Sequence, residues 1–274
     1  MGSAACRRPA RSVDSRRPTT SAFSHTGGTG GHRKRSFRGA PRLPRLARYA
    51  ESVILMASSD HPDLLVSSMA DKIRPEAQGF RTLPPEALSH WLPGLSVPAC
   101  WIATPFALTS VKPARVLTRS AGDGSGEWIG CEVINLYQFS GSATADLIEQ
   151  GADCTLRDLG VSAPITYRIT MPPELGIVAT RSRGATVLGV RLWGQVTNYL
   201  VKSGSVSGLI EHTLLIRTTV RGQLKAEISL LSDTVRSSLI TSVRTQAARR
   251  QTVHPLQNPQ TMGTSRERAE GPTH

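Results

Sequence analysis

The side chains able to do chemistry in this chain are few and widely spaced. Cysteines stand at positions 6, 100, 131 and 154, and Cys100, Cys131 and Cys154 are each more than twenty residues from the next. No CxxC or HxxxH spacing occurs, so the short-range ligand pairs of a zinc site are missing. A Ser–His–Asp hydrolase presents its serine on a strained strand-to-helix turn, usually GxSxG. GDGSGE at 122–127 has the wrong frame for that turn, and SGSVSG at 203–208 reads as a polar hairpin turn. The glycines of GGTGGH at 27–32 follow no strand, as a phosphate-binding loop would require. Glu211 and His212 are neighbours on a strand, where successive side chains point to opposite faces, so they cannot act as a pair. His212 therefore reads as a residue at the edge of the core, bonded to a neighbour. No catalytic residue, metal or cofactor is called for.

Two groups of residues still merit a place. Cys131, on a strand, and Cys154, on the inner face of the helix that follows, would meet if that helix folded back over its own strand. A disulfide there closes 24 residues and by loop entropy contributes on the order of 3 kcal/mol. The alternative is a pair of buried thiols serving as small hydrophobes. Trp128, Tyr137, Trp193 and Tyr199 are placed to line a cavity between sheet and helix, or else to fill the core.

These residues need elements to position them, and the stretch from Trp128 to Gly160 is the clearest. WIGCEVINLYQF is apolar on both faces, the mark of a central strand covered on each side. After Ser140 the apolar residues recur at helical spacing through ADLIEQGADCTLRDLG; Ser142 or Thr144 can cap the start of this helix and Gly160 its end. Before it, CWIATPFAL and ARVLTRS read as short strands. After it come ITYRITM, ended by the double proline of MPPEL, then GIVATRS, ATVLGVRLWGQVTNYLVKS and GLIEHTLLIRTTV, with turns at SRG and SGSVSG. Leu224, Ile228, Leu231, Val235, Leu239 and Val243 then recur at spacings of three and four, predicting an amphipathic helix from Leu224 to about Arg249. This order builds an α+β fold: a single twisted, mostly antiparallel sheet with helices packed on it, an α/β/α sandwich.

Charge divides the chain. Residues 1–49 hold eleven arginines and Lys34 against Asp14, a net of +11, whereas 50–248 carries 17 basic and 17 acidic residues; the whole chain is +13. The high pI is thus a property of the ends. Residues 1–57 read as a disordered Arg-rich tail, or as sequence ahead of a start at Met56 or Met69. Residues 58–99 read as a linker with a short helix and a Pro-rich loop anchored by Trp91, 100–248 as the α+β domain, and 249–274 as a disordered C-terminal tail. Nucleic acid is not expected to bind the folded domain, though the arginine tail could attract phosphates without reading sequence. No run reaches the roughly 18 apolar residues of a transmembrane helix. As written the chain reads as soluble, and as cytoplasmic if it starts at Met1.

The unit GCEVINLYQFSG…ADLIEQGADCTLRDLG, the segment TYRITMPPELGIVATRS, and the pairing of NYLVKSGSVSGLIEHTLLIRTTV with a terminal amphipathic helix resemble the LpqN/LpqT family of actinobacterial lipoproteins. The resemblance covers roughly residues 96–248. It implies a PsbP-like fold and an exported or envelope-associated protein. This chain shows no lipobox or signal peptide, a departure from the family, which offers no catalytic residues to carry over. The function expected is a non-enzymatic module contacting a protein or envelope component. The alternatives are a small-molecule-binding or enzymatic domain using a cavity between sheet and helix, and nucleic-acid association through the tail.

Overall fold

The computed structural model describes residues 68–253, except 105–112, 124–126, 142, 189 and 204. The expected tail at 1–57 lies outside the described residues, as does most of that at 249–274, whose first five residues instead continue the final helix to Val253.

The central strand is β4, Trp128–Ser140, buried along almost its whole length on both faces. It pairs on one side with β3, Arg115–Ser120, and on the other with β8, Val206–Arg217. Outward from β8 come β7, Val190–Ser203, β6, Ile177–Leu188, and the short edge strand β5, Ile165–Arg168. Outward from β3 comes β2, Trp101–Ala103, and β1, Gln78–Thr82, pairs with the far end of β4. All pairs are antiparallel. The fold class is the one the sequence predicts.

Each face of the sheet is covered. Helix α5, Lys225–Val253, lies across one face and buries Leu231, Val235 and Leu239 against Ile134, Leu136, Ile210, Leu214 and Ile216. The other face is covered by α1, Met69–Ile73, α3, Ala145–Gly151, and α4, Cys154–Asp158. There Met69, Ile73 and Ile148 pack on Tyr137, Phe139, Leu200 and Leu209. The period of two along β4 and β8 thus feeds two cores, with even positions toward α5 and odd positions toward α1, α3 and α4. Among the described residues no helix is long and apolar enough to cross a membrane.

The structure differs from the sequence reading at four places. First, residues 78–82, within the expected linker, form β1. Trp91, at the end of the short helix α2, Leu88–Trp91, does serve as an anchor: its ring lies so close to Gly208 that a Cβ there would sit 2.2 Å from it.

Second, β6 runs through the predicted turn at Ser182–Arg183–Gly184 without interruption. Gly184 is there for proximity, because a Cβ would come within 2.3 Å of Val161.

Third, the predicted single helix is two, α3 and α4, separated at Ala152–Asp153, with Thr144 capping the first through a bond from the Leu147 amide.

Fourth, α3 and α4 lie chiefly over β6 and β7, although Ile148 of α3 also reaches the Tyr137–Phe139 end of β4. Cys131 and Cys154 are accordingly not joined in a disulfide: Cys131 is buried on β4 and Cys154 lies near Glu211 of β8. Burial raises both, Cys154 to about 11.

Candidate functional site

Helix α5 covers the β4 side of its sheet face and leaves β7 and β6 partly open beside its first turns. The opening is a cleft of about 550 Å³. Its floor is built by alternation: Arg181 and Arg183 on β6 and Trp193 and Gln195 on β7 all face α5. Its roof comes from the β8–α5 connection, with Thr218 and Arg221, and from α5 itself, with Lys225, Ile228, Ser229, Ser232 and Asp233.

Four cations therefore face one acid, Asp233. The way the arginines are held is the informative part. The Arg221 guanidinium lies over the Trp193 ring, 4.6 Å from its centre, and that of Arg183 over Tyr167 of β5 at 5.4 Å. Arg181 donates from Nε to Thr197 Oγ1 at 3.1 Å. Ring faces and a hydroxyl fix these groups in place without neutralising them. Six arginines elsewhere meet carboxylates: Arg115 with Glu132, Arg119 with Glu227, Arg157 with Asp153, Arg168 with Glu149, Arg217 with Glu127 and Arg244 with Glu174, while Arg74, Arg81 and Arg236 are held by a ring, an amide oxygen and a backbone carbonyl. None of the four cleft cations has a carboxylate partner among the described residues. Between them, Gln195 Nε2 donates to Ser232 Oγ at 3.0 Å and ties the floor to the helix.

Two buried polar groups lie outside the cleft, one in each core. On the α5 face, Glu132 of β4 joins Arg115 of β3 to His212 of β8. Arg115 Nη2 lies 2.7 Å from Glu132 Oε2 and donates to Oε1 at 2.9 Å, and His212 Nε2 is 3.0 Å from Oε1. Burial pushes the Glu132 carboxyl up, but the bond from His212 and the charges of His212 and Arg115 outweigh it and hold it below the usual carboxylate range. His212 is thus bonded to a neighbour as expected, but it lies in the middle of the core, fully buried, rather than at its edge.

On the opposite face Glu211 accepts from the Ala70 amide at 2.8 Å and from the Tyr137 hydroxyl at 3.3 Å. It stands in register between Asn135 and Asn198, so a polar row crosses β4, β8 and β7 beneath α1. Burial raises the Glu211 carboxyl to about 7; the Ala70 amide opposes the rise and the charge of Asp71 adds to it.

Of the four aromatic residues singled out from the sequence, Trp193 lines the cleft. Tyr199 lies in the core behind Arg181, Tyr137 is on the other face with Glu211, and Trp128 is buried at the start of β4 without lining the cleft. The residues that give the cleft its charge went unnoticed in the sequence. The signal was there in Arg181-Ser182-Arg183, two arginines two apart on a strand and hence on one face, followed later by VRGQLK just ahead of the long helix.

No family model matches the sequence, and no curated protein does. Among solved structures the fold is similar to LpqN of Mycobacterium tuberculosis, described as involved in cell envelope biogenesis, at 15% identity and a TM-score of 0.46, over 63% of this chain and 96% of that one. It is also similar to human STARD10, at 9% identity and a TM-score of 0.22, over 60% and 84% of the two chains. Norcoclaurine synthase from Thalictrum flavum follows at 8% identity and a TM-score of 0.15, over 63% and 80%. LpqN bears the name of the family that the sequence pattern resembles.

Proposed function

We propose that the protein is a binding module that holds an anionic small molecule in the cleft between β6, β7 and the first turns of α5. The observation that carries this reading is the set of four uncompensated cations, three of them arginines fixed by rings and a hydroxyl. Holding four like charges together with a single carboxylate, Asp233, among them is unfavourable, and a bound carboxylate or phosphate relieves it with charge-assisted hydrogen bonds.

Binding rather than turnover fits the contents of the cleft. Among the described residues its lining includes no cysteine, histidine or glutamate, and one acid, Asp233, which faces an excess of positive charge. The buried Arg115–Glu132–His212 group lines none of it. Association with the cell envelope, which the sequence resemblance implies, belongs to the same proposal. Nucleic-acid association through the arginine tail concerns residues outside those described.

The test is calorimetric titration of the full-length chain with inorganic pyrophosphate at low ionic strength. The control is the full-length Arg181→Gln/Arg221→Gln variant, which keeps the same basic tail. Binding that weakens at least about ten-fold in the variant supports the cleft, since each lost charged hydrogen bond is worth about that factor. Equal binding by the two proteins would place the anion elsewhere and refute the reading.

A further inference from the structure

We infer that the ligand of this cleft is elongated and carries an anionic group at each end, with hydrogen-bonding groups between them. This rests on the reading of the cleft as an anion site and narrows it to a chemical class.

Trp193 and Thr197 lie on the same face of β7, four residues apart, which is about 13 Å along a strand. Arg221 is fixed over Trp193 and Arg181 is bonded to Thr197, so their guanidinium groups mark opposite ends of the cleft. Lys225, at the start of α5, stands with Arg221 at the outer end. At the inner end, Arg181 lies beside the buried Tyr199 hydroxyl, which makes no hydrogen bond within normal limits and feels the charges of Arg181, Arg236 and Asp233.

The middle of the cleft is different in kind. It is spanned by Gln195 and Ser232, opposite Arg183 in the register of β6 and β7, with Ser229 nearby. A single compact anion could satisfy one end only. A molecule with two phosphates or carboxylates separated by a hydroxylated backbone meets both ends and offers partners to the amide and hydroxyls between them. Sugar bisphosphates and comparable bis-anions have that form.

The experiment compares fructose 1,6-bisphosphate with fructose 6-phosphate on the full-length chain at low ionic strength, by calorimetry. The bisphosphate is expected to bind about ten-fold more tightly. In Arg181→Gln and in Arg221→Gln, taken singly, its affinity should fall to that of the monophosphate. The monophosphate should change less than about three-fold in either, because one end remains to receive it. Circular dichroism confirms that each variant is folded, and both arginines lie at the cleft rather than within the core. Equal affinities of wild type for the two sugars would overturn the two-ended inference and leave the anion site standing. A bisphosphate advantage that survives both substitutions would assign it to the basic tail, overturning the inference as well. Failure of wild type to bind either sugar, or pyrophosphate, would remove both readings together.

Discussion

The guanidinium of Arg221 rests 4.6 Å from the centre of the Trp193 ring. This contact fixes a positive charge at the mouth of the cleft without neutralising it. Arg221 is not needed to hold the fold. Arg221→Gln should change stability by less than about 0.5 kcal/mol, as for ordinary surface substitutions, while weakening anion binding. Trp193→Ala, by contrast, removes a buried ring of the α5 core and should cost roughly 3–5 kcal/mol in urea unfolding.

The Arg115–Glu132–His212 group predicts a large and pH-dependent loss. Glu132→Gln leaves Arg115 and His212 buried beside a neutral amide, and removing one partner of a buried ion pair typically costs about 3–5 kcal/mol. The Glu132 carboxyl is held below its ordinary value in the folded state. Its contribution is therefore complete above the unfolded carboxylate range and is lost as pH falls through that range toward the folded value. Denaturant midpoints of wild type and variant should be far apart at pH 7 and converge on acidification. A gap that is the same at pH 7 and at pH 3 would contradict the assignment.

Glu211 predicts the opposite sign. Its carboxyl is raised to about 7 in the folded protein, so between the ordinary carboxylate range and pH 7 the folded state binds a proton that the unfolded state has released. Stability should fall as pH rises through that window, by on the order of 3 kcal/mol in total. Glu211→Gln keeps an acceptor for the Ala70 amide and does not titrate. Urea unfolding from pH 4.5 to 8 should show a decline in wild type that the variant lacks; parallel curves would rule the effect out.

Gly208 and Trp91 form a testable pair. A Cβ at 208 would meet the Trp91 ring at 2.2 Å, so Gly208→Ala should cost about 1–3 kcal/mol through overpacking. In a Trp91→Ala background the same substitution should cost almost nothing, and a double-mutant cycle by chemical unfolding measures the coupling. Additive costs would show that the ring is not what requires glycine at this position.

Much of the fold was legible because its main elements carry strong periodic patterns. Residues 128–139 are apolar on both faces and became β4, and Leu224 to Val243 recur at helical spacing and became most of α5. Strand β1 was hidden because its five residues, QGFRT, are short, at most half-buried, and followed by prolines that read as loop. The turn expected at Gly184 was misplaced because a glycine required for close packing against Val161 looks, in a sequence, the same as a glycine required for a turn. The approach of Cys131 and Cys154 was expected from the assumption that a helix returns over the strand it leaves; here it crosses to β6 and β7 instead.

The cleft escaped notice for an electrostatic reason. Residues 50–248 sum to no net charge, which reads as a neutral surface. The sum hides where the charges sit: six arginines meet carboxylates, whereas Arg181, Arg183 and Arg221 gather with Lys225 in one cleft without an ion pair among the described residues. Only three-dimensional pairing separates the two groups. The alternation of Arg181 and Arg183 was the one local sign that two of the unpaired charges share a face.

The proposed anion site stands or falls with these cleft cations. The most direct measurement is pyrophosphate affinity of the full-length chain, wild type against Arg181→Gln/Arg221→Gln, at low and at high salt. We predict binding by wild type that weakens with added salt, as exposed charges are screened within about 8–10 Å near physiological ionic strength, and binding at least about ten-fold weaker in the variant. The same affinity in both proteins, or none in wild type, would contradict it.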